Sequence, residues 1–202
     1  MLPPLPSLDD EYREKGYPFI AGVDEAGRGP LAGPVFAAAV ILSPDCGLPL
    51  NLDSKKFSPS RRERLHDEIV STALAWHVAR VESPVIDEIN ILMATMRAMV
   101  QAVKNLNPTP GLVLVDGNRS PFTEAHSRAI RKGDQLSQSI GAASILAKVR
   151  RDRVMTEYHA TWPQYGFDRH KGYGTREHLE ALTRHGPCPI HRKTFRGVKE
   201  HC

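Results

Sequence analysis

The chain of 202 residues is poor in the features that several function classes require. Its three cysteines, Cys46, Cys188 and Cys202, stand far apart and form no Cys-x₂-Cys pair. That spacing excludes a disulfide framework and suits free thiols, so a cytoplasmic protein is expected. A zinc site built from Cys188, Cys202, His185, His191 and His201 would lack the usual paired cysteines. No apolar run approaches the roughly 18 residues that span a bilayer, so no membrane segment is expected. Met1-Leu2-Pro3-Pro4-Leu5-Pro6 has neither a basic segment nor an unbroken apolar stretch, unlike a signal peptide. There is no Gly-x-x-x-x-Gly-Lys-[Ser/Thr] loop for nucleoside triphosphates and no Gly-x-Ser-x-Gly elbow for a hydrolase triad. Internal repeats and long linkers are missing too, which leaves one domain over residues 17–202 behind a lead-in at 1–16 that is read as mobile, with at most a turn of helix.

What is present is concentrated in Ile20-Ala21-Gly22-Val23-Asp24-Glu25-Ala26-Gly27-Arg28-Gly29-Pro30. A short apolar run ends on two adjacent carboxylates, followed by an arginine between glycines. Ionised carboxylates at the end of a buried strand repel each other and lose hydration, so they call for a cation. Hard divalent ions take oxygen ligands and meet that need. The glycines let a ligand approach the main chain closely. Either this is a site for phosphodiester chemistry or it is an acidic strand end in a tight turn.

Charge is uneven along the chain. Residues 1–118 carry 11 Lys and Arg against 15 Asp and Glu, whereas residues 119–202 carry 16 against 8. A basic half can steer a polyanion while acidic residues in the other half hold metal.

Apolar patterning predicts an α/β protein. Phe19–Glu25 and Val35–Leu42 read as a hairpin of strands buried on both faces. Ser58 with Pro59, or Ser60 with Glu63, can cap a helix running to about Thr72. A strand to Val81 follows, then a long helix from Ser83 to about Leu106. In that helix Ile86, Ile89, Leu92, Met93, Met96, Val100 and Val103 form the expected core stripe. Leu112-Val113-Leu114-Val115 is a buried strand ending on Asp116-Gly117, which repeats the opening pattern. A helix from about Leu136 to Ala160 carries the small patch Gly141-Ala142-Ala143-Ser144 and then turns cationic, and a short helix spans about Thr175–His185.

Four carboxylates can therefore meet: Asp24, Glu25, Asp116 and Asp134. Together they suit two divalent ions about 3.5–4 Å apart, clamping an in-line phosphoryl displacement. Neighbouring strand residues face opposite ways, so Asp24 and Glu25 share a site only where the strand bends or ends. Tyr173 lies between two glycines in a basic setting and can stack on a base or sugar, or pack in its loop. Lys55 and Lys56 can contact a phosphate or be solvated, and His170 suits a phosphate contact or a turn cap better than a general base.

Asp24-Glu25-Ala26-Gly27-Arg28-Gly29-Pro30-Leu31-Ala32-Gly33-Pro34-Val35 resembles the signature of type 2 ribonuclease H, the bacterial ribonuclease HII family. Further segments match in order: Asp53-Ser54-Lys55-Lys56, Ile89-Asn90-Ile91-Leu92-Met93-Ala94-Thr95-Met96, Val115-Asp116-Gly117-Asn118 and Lys132-Gly133-Asp134. The series continues through Ser137–Lys148, Arg151-Asp152, His170-Lys171-Gly172-Tyr173-Gly174-Thr175 and His191-Arg192-Lys193-Thr194-Phe195. The resemblance implies an RNase H-like fold, a central mixed sheet flanked by helices with a C-terminal helical segment. It implies cleavage of RNA in RNA–DNA hybrids and of duplex DNA at single embedded ribonucleotides, leaving 5′-phosphate and 3′-hydroxyl ends, with Mn²⁺ or Mg²⁺ as cofactor. The enzyme would act as a monomer in ribonucleotide excision and DNA replication. By motif position, Asp24, Glu25, Asp116 and Asp134 would bind metal. Gly27, Arg28 and Gly29 would read the ribose 2′-hydroxyl and Tyr173 would stack on the following sugar, with Lys55 and Ser139 also at the substrate. Phe57 stands where leucine is usual and Gly141 where alanine is usual. The few residues before the first strand argue against the type 3 enzymes, which carry an added N-terminal domain.

Overall fold

A computed structural model describes residues 7–49, 52, 54–123 and 126–202, apart from the side chain of Lys55. Ile20–Ala26 (β1) and Val35–Ile41 (β2) pair antiparallel, with Ala21 opposite Ile41 and Ala26 opposite Phe36. Every residue of β2 is buried, as an unbroken apolar run requires. Ala75–Val81 (β3) pairs antiparallel with β2. Leu112–Asp116 (β4) lies parallel to β1, and Ser127–Ile130 (β5) parallel to β4. The result is a mixed sheet in the order β3-β2-β1-β4-β5.

Side-chain alternation divides the core. One face of the sheet presents Ala21, Val23, Ala37, Ala39, Val113 and Val115 to the helix Ser83–Lys104 (α3). The other presents Phe36, Ala38 and Val40 to the helices Pro59–Thr72 (α2) and Gln138–Thr161 (α5). Ser58 caps α2 by accepting from the Arg61 N–H, with Pro59 in the first turn. The small residues of α5 allow close approach: a Cβ on Gly22 of β1 would overlap the backbone of Ser139 and Ile140. Gly141 has a related cause, since a methyl there would sit 2.7 Å from Leu52 Cβ.

Three features differ from expectation. First, α3 is broken at Asn90, whose backbone is left-handed in φ (66°), and the Asn90 side chain recaps the chain by accepting from the N–H groups of Leu92 and Met93 at 3.0 and 3.1 Å. The break moves the buried face to Ala94, Thr95, Ala98, Met99 and Ala102, leaving Met93 50% exposed. Second, β5 is a strand in a segment to which the apolar patterning assigns no element. Third, the lead-in, of which residues 1–6 lie outside the described residues, contains the helix Leu8–Glu14 (α1), longer than the single turn expected and started by a capping box on Ser7. Asp9 of α1 is buried and accepts hydrogen bonds from the Ser139 hydroxyl and N–H.

The short helix Gly133–Leu136 (α4) precedes α5. Beyond α5, Phe167–His170 (α6) and Arg176–His185 (α7) enclose a separate apolar cluster of Tyr165, Phe167, Leu182, Ile190 and Val198, to which the β1–β2 turn contributes Leu31 and Ala32. This joint cluster carries the C-terminal segment to the mouth of the hairpin. Among the described residues no helix is long and apolar enough to cross a membrane.

Candidate active site

Parallel pairing of β1 with β4 sets Val23 opposite Val115, so Asp24 and Asp116 follow at equivalent positions on neighbouring strand ends. Asp24, Glu25 and Asp116 line one cleft together with Gly27, Arg28, Gly29, Ser54, Arg62, Ser144, Lys148, Arg151 and Tyr173. The objection from strand alternation is met by the end of the strand. Asp24 faces Ser144 of α5, while Glu25 also borders a groove walled by Thr95 and Met99 of α3. β1 stops at Ala26 and the chain turns at Gly27, so the cleft opens across the sheet end and admits both carboxylates.

These charges are poorly compensated by the protein. Burial pushes the Asp24 carboxyl well above its ordinary range, and the charges of Glu25 and Asp116 push the same way. Hydrogen bonds from Ser144 and from the Glu25 N–H (2.7 Å) oppose the rise. Burial also raises Glu25, against the pull of Arg28, whose Nη1 lies 3.2 Å from Glu25 Oε1. Clustered carboxylate oxygens fit a hard divalent cation. Among the described residues no three His, Cys, Asp or Glu side chains already form a metal cage. A magnesium-type ion does not need one, because it keeps several waters and uses one or two carboxylates plus substrate phosphate.

Other expected residues fall at varied distances from this centre. Asp116 Oδ1 accepts from the Gly133 N–H at 2.7 Å, which ties the start of α4 to the end of β4. Asp134 follows Gly133 and is buried, but it is not in the cleft wall. Ser139, expected at the substrate, is fully buried with its hydroxyl bonded to Asp9, so the docking of α1 removes it from the cleft. Lys55 belongs to the turn Ser54–Lys56, and its side chain lies outside the described residues, as does Asp53.

The loop after β1 is shaped by two buried arginines that sequence reasoning left among the cationic residues. Arg192, with no exposed surface, donates to the carbonyls of Gly27 (2.6 Å), Arg28 (2.8 Å), Pro30 (2.8 Å) and Gly33 (2.8 and 3.0 Å). Arg151 donates to Ala32 (3.1 Å), Pro34 (3.1 Å) and Lys171 (3.0 Å). Burial lowers Arg151 to about 10 and Arg192 to about 9, so both stay charged at neutral pH. With its carbonyls held inward, the loop is fixed as a rigid shelf. Among the described residues, none accepts a hydrogen bond from the N–H of Arg28 or Gly29, and both residues line the cleft. One signal for Arg151 is in the sequence: it shares a helical face with Ala147 and Met155, both buried.

Tyr173 stands across from this shelf. The residue is 45% exposed, and its ring lies near Gly29 and has the Arg151 guanidinium 6.0 Å from its centre.

The chain is similar to proteins of known class. The family model described as Ribonuclease HII matches residues 21–198. Ribonuclease HII of Caldicellulosiruptor bescii is 53% identical over 188 residues, covering 93% of this chain and 91% of that one. The crystal structure of ribonuclease H2 from Pyrococcus horikoshii OT3 is similar with a TM-score of 0.74 at 28% identity, covering 90% of this chain and 96% of that one. A structure of Bst-RNase HIII in complex with Mn²⁺ shares the fold at TM-score 0.66 and 16% identity, over 91% of this chain and 68% of that one.

Proposed function

The chain belongs to the ribonuclease HII family and is a ribonuclease H, and on that premise we propose that it cuts the RNA strand of RNA–DNA hybrids and cleaves duplex DNA on the 5′ side of a single embedded ribonucleotide. The observation that carries the reading is the convergence of Asp24, Glu25 and Asp116 in one cleft with a clamped glycine loop and an exposed Tyr173. Asp24, Glu25 and Asp116 would hold Mg²⁺ or Mn²⁺, with Asp134 in support, and the bound metal would supply an activated water and charge stabilisation at the leaving 3′-oxygen.

The chain's own residues divide the remaining work. Arg62 and Lys148 flank the carboxylates and meet substrate phosphates, with Lys55 assigned to the same role. The shelf of Gly27, Arg28 and Gly29 reads the ribose 2′-hydroxyl through its backbone, the group that distinguishes RNA from DNA at one position. Tyr173 stacks on the next sugar and sets the register of the cut. Ser139 acts indirectly, by docking α1 against α5. The enzyme works as a single catalytic domain over residues 17–202, as a cytoplasmic monomer in ribonucleotide excision and hybrid removal during DNA replication.

The test is cleavage of an end-labelled duplex with one ribonucleotide, beside the same duplex made wholly of DNA, with and without Mg²⁺ or Mn²⁺. A metal-dependent cut 5′ of the ribonucleotide, giving 5′-phosphate and 3′-hydroxyl ends, is expected. Equal cutting of the DNA duplex, or binding without cleavage, would overturn the proposal.

A further inference from the structure

The backbone of Tyr173 is tied on both sides although its ring is open. Its N–H donates to the His170 carbonyl at 2.9 Å, and its carbonyl accepts from the Thr175 N–H at 2.8 Å and from His178 Nδ1 at 2.9 Å. His178 Nδ1 therefore carries a proton, and in the neutral ring Nε2 is an acceptor. That Nε2 lies 3.0 Å from His191 Nε2, which must then be the donor. His191 Nδ1 completes the series by accepting from the Cys188 N–H at 2.9 Å. The hydrogen bonds thus run in one direction, from Cys188 through His191 and His178 to the Tyr173 carbonyl. A proton added to His178 Nε2 would meet the His191 Nε2–H across the 3.0 Å contact, and one added to His191 Nδ1 would meet the Cys188 N–H at 2.9 Å.

The surroundings keep this chain dry and neutral. His178 and His191 are 0% and 1% exposed. His170 stacks on His178 with ring centres 4.6 Å apart, Phe167 lies 5.5 Å from His178, and Tyr165 lies 4.9 Å from His191. His170 also accepts from the Gly172 N–H at 3.2 Å, so it holds the same loop from the other side. The cluster is not a metal centre, because both nitrogens of His178 and of His191 are already occupied. Nor is it a nucleophile site, since burial raises the Cys188 thiol to about 11 and keeps it protonated.

We propose that the buried His178–His191 pair is a positioning device for Tyr173, an ordered hydrogen-bond chain that fixes loop 170–175 and hence the pose of the ring at the ribonucleotide junction. The inference rests on the role given to Tyr173 above. His178 and His191 act through the tyrosine and touch no reacting atom.

The test compares His178→Leu, which removes the donor, with His178→Asn, whose side-chain amide can replace Nδ1–H. Single-turnover cleavage of a duplex with one ribonucleotide is measured alongside hydrogen exchange of the Gly172, Tyr173 and Thr175 amides. His178→Leu should slow cleavage ~10-fold, the scale of one lost hydrogen bond, while His178→Asn stays within about threefold of wild type. In a Tyr173→Ala background the further loss from His178→Leu should shrink below about twofold, because the two residues act as one unit. Exchange should quicken in loop 170–175 and not in the central sheet. Additive losses in both backgrounds, or no rescue by asparagine, would overturn the proposal. Should His178→Leu fail to fold, His191→Asn gives the second reading, with the same local exchange expected and its absence contradictory. If Tyr173→Ala alone cleaves at the wild-type rate, the role of the ring falls, and loop exchange in His178→Leu still decides the positioning claim.

Discussion

Arg192 Nη2 lies 2.6 Å from the carbonyl oxygen of Gly27, joining a residue near the C-terminal end to the loop that follows the first strand. The same guanidinium also serves Arg28, Pro30 and Gly33. Lysine keeps the charge but not the planar fork, so it cannot reach these carbonyls together. Arg192→Lys should lower unfolding stability by about 3 kcal/mol, because buried carbonyls lose a charged partner. Urea denaturation checks this, and a change under about 0.5 kcal/mol would contradict the clamp.

The glycines of the loop should separate by cause. Gly27 has φ of 94° and a side chain there would overlap Arg151, so Gly27→Ala should destabilise by about 3 kcal/mol or more. At Gly29 an added methyl meets Tyr173 Cε1 at an ordinary 3.7 Å. Gly29→Ala should therefore fold within about 0.5 kcal/mol of wild type and still cut poorly, because the methyl enters the space for the ribose. Thermal melts paired with cleavage rates distinguish the two variants.

Asp24 should be a case where function costs stability. Its folded pKa is raised, so its contribution is present below the ordinary carboxylate value and lost as pH rises through the folded value. Without metal, Asp24→Asn should be more stable than wild type at pH 7–8, and the gain should shrink toward pH 4. Mg²⁺ or Mn²⁺ should raise the melting temperature of wild type more than that of the variant. Melts across pH and metal concentration measure both effects.

The buried histidines act in the opposite direction. Burial lowers His178 and His191 to about 4, with His170, Glu177, Tyr165 and Cys188 as the titratable neighbours. A folded pKa below the unfolded 6.5 means stability is held above 6.5 and lost as pH falls toward 4, up to about 3 kcal/mol per ring. Nitrogen NMR should show both rings neutral at pH 5.5, with Nδ1 protonated in His178 and Nε2 in His191. Titration of either near 6.5 would contradict the ordered chain.

Much of this architecture is legible in the residues themselves. Unbroken apolar runs mark β1, β2 and β4, and Ser58 and Thr175 cap their helices as their chemistry suggests. Asp24, Glu25 and Asp116 follow from a carboxylate at the end of an apolar run. What is hidden depends on partners far along the chain. The segment Ser127–Ile130 carries too little apolar pattern to read as a strand, and the edge of β4 organises it. The break at Asn90 is masked because large apolar residues keep helical spacing on both sides of it. Arg151 and Arg192 sit in basic runs that suggest solvent or phosphate, yet both are enclosed by carbonyls of the first loop. Ser139 sits in a matching motif, and only the docking of Asp9 shows where its hydroxyl goes.

The central claim is that Asp24 serves the chemistry while the Gly27–Gly29 loop and Tyr173 serve recognition. Binding and cleavage of one duplex with a single ribonucleotide, measured for wild type and Asp24→Asn in Mg²⁺ or Mn²⁺, test it most directly. The variant should bind within about threefold of wild type and show no cut at the ribonucleotide, since it loses a metal ligand and its charge but keeps the reading loop. Substantial metal-dependent turnover by Asp24→Asn would contradict the account.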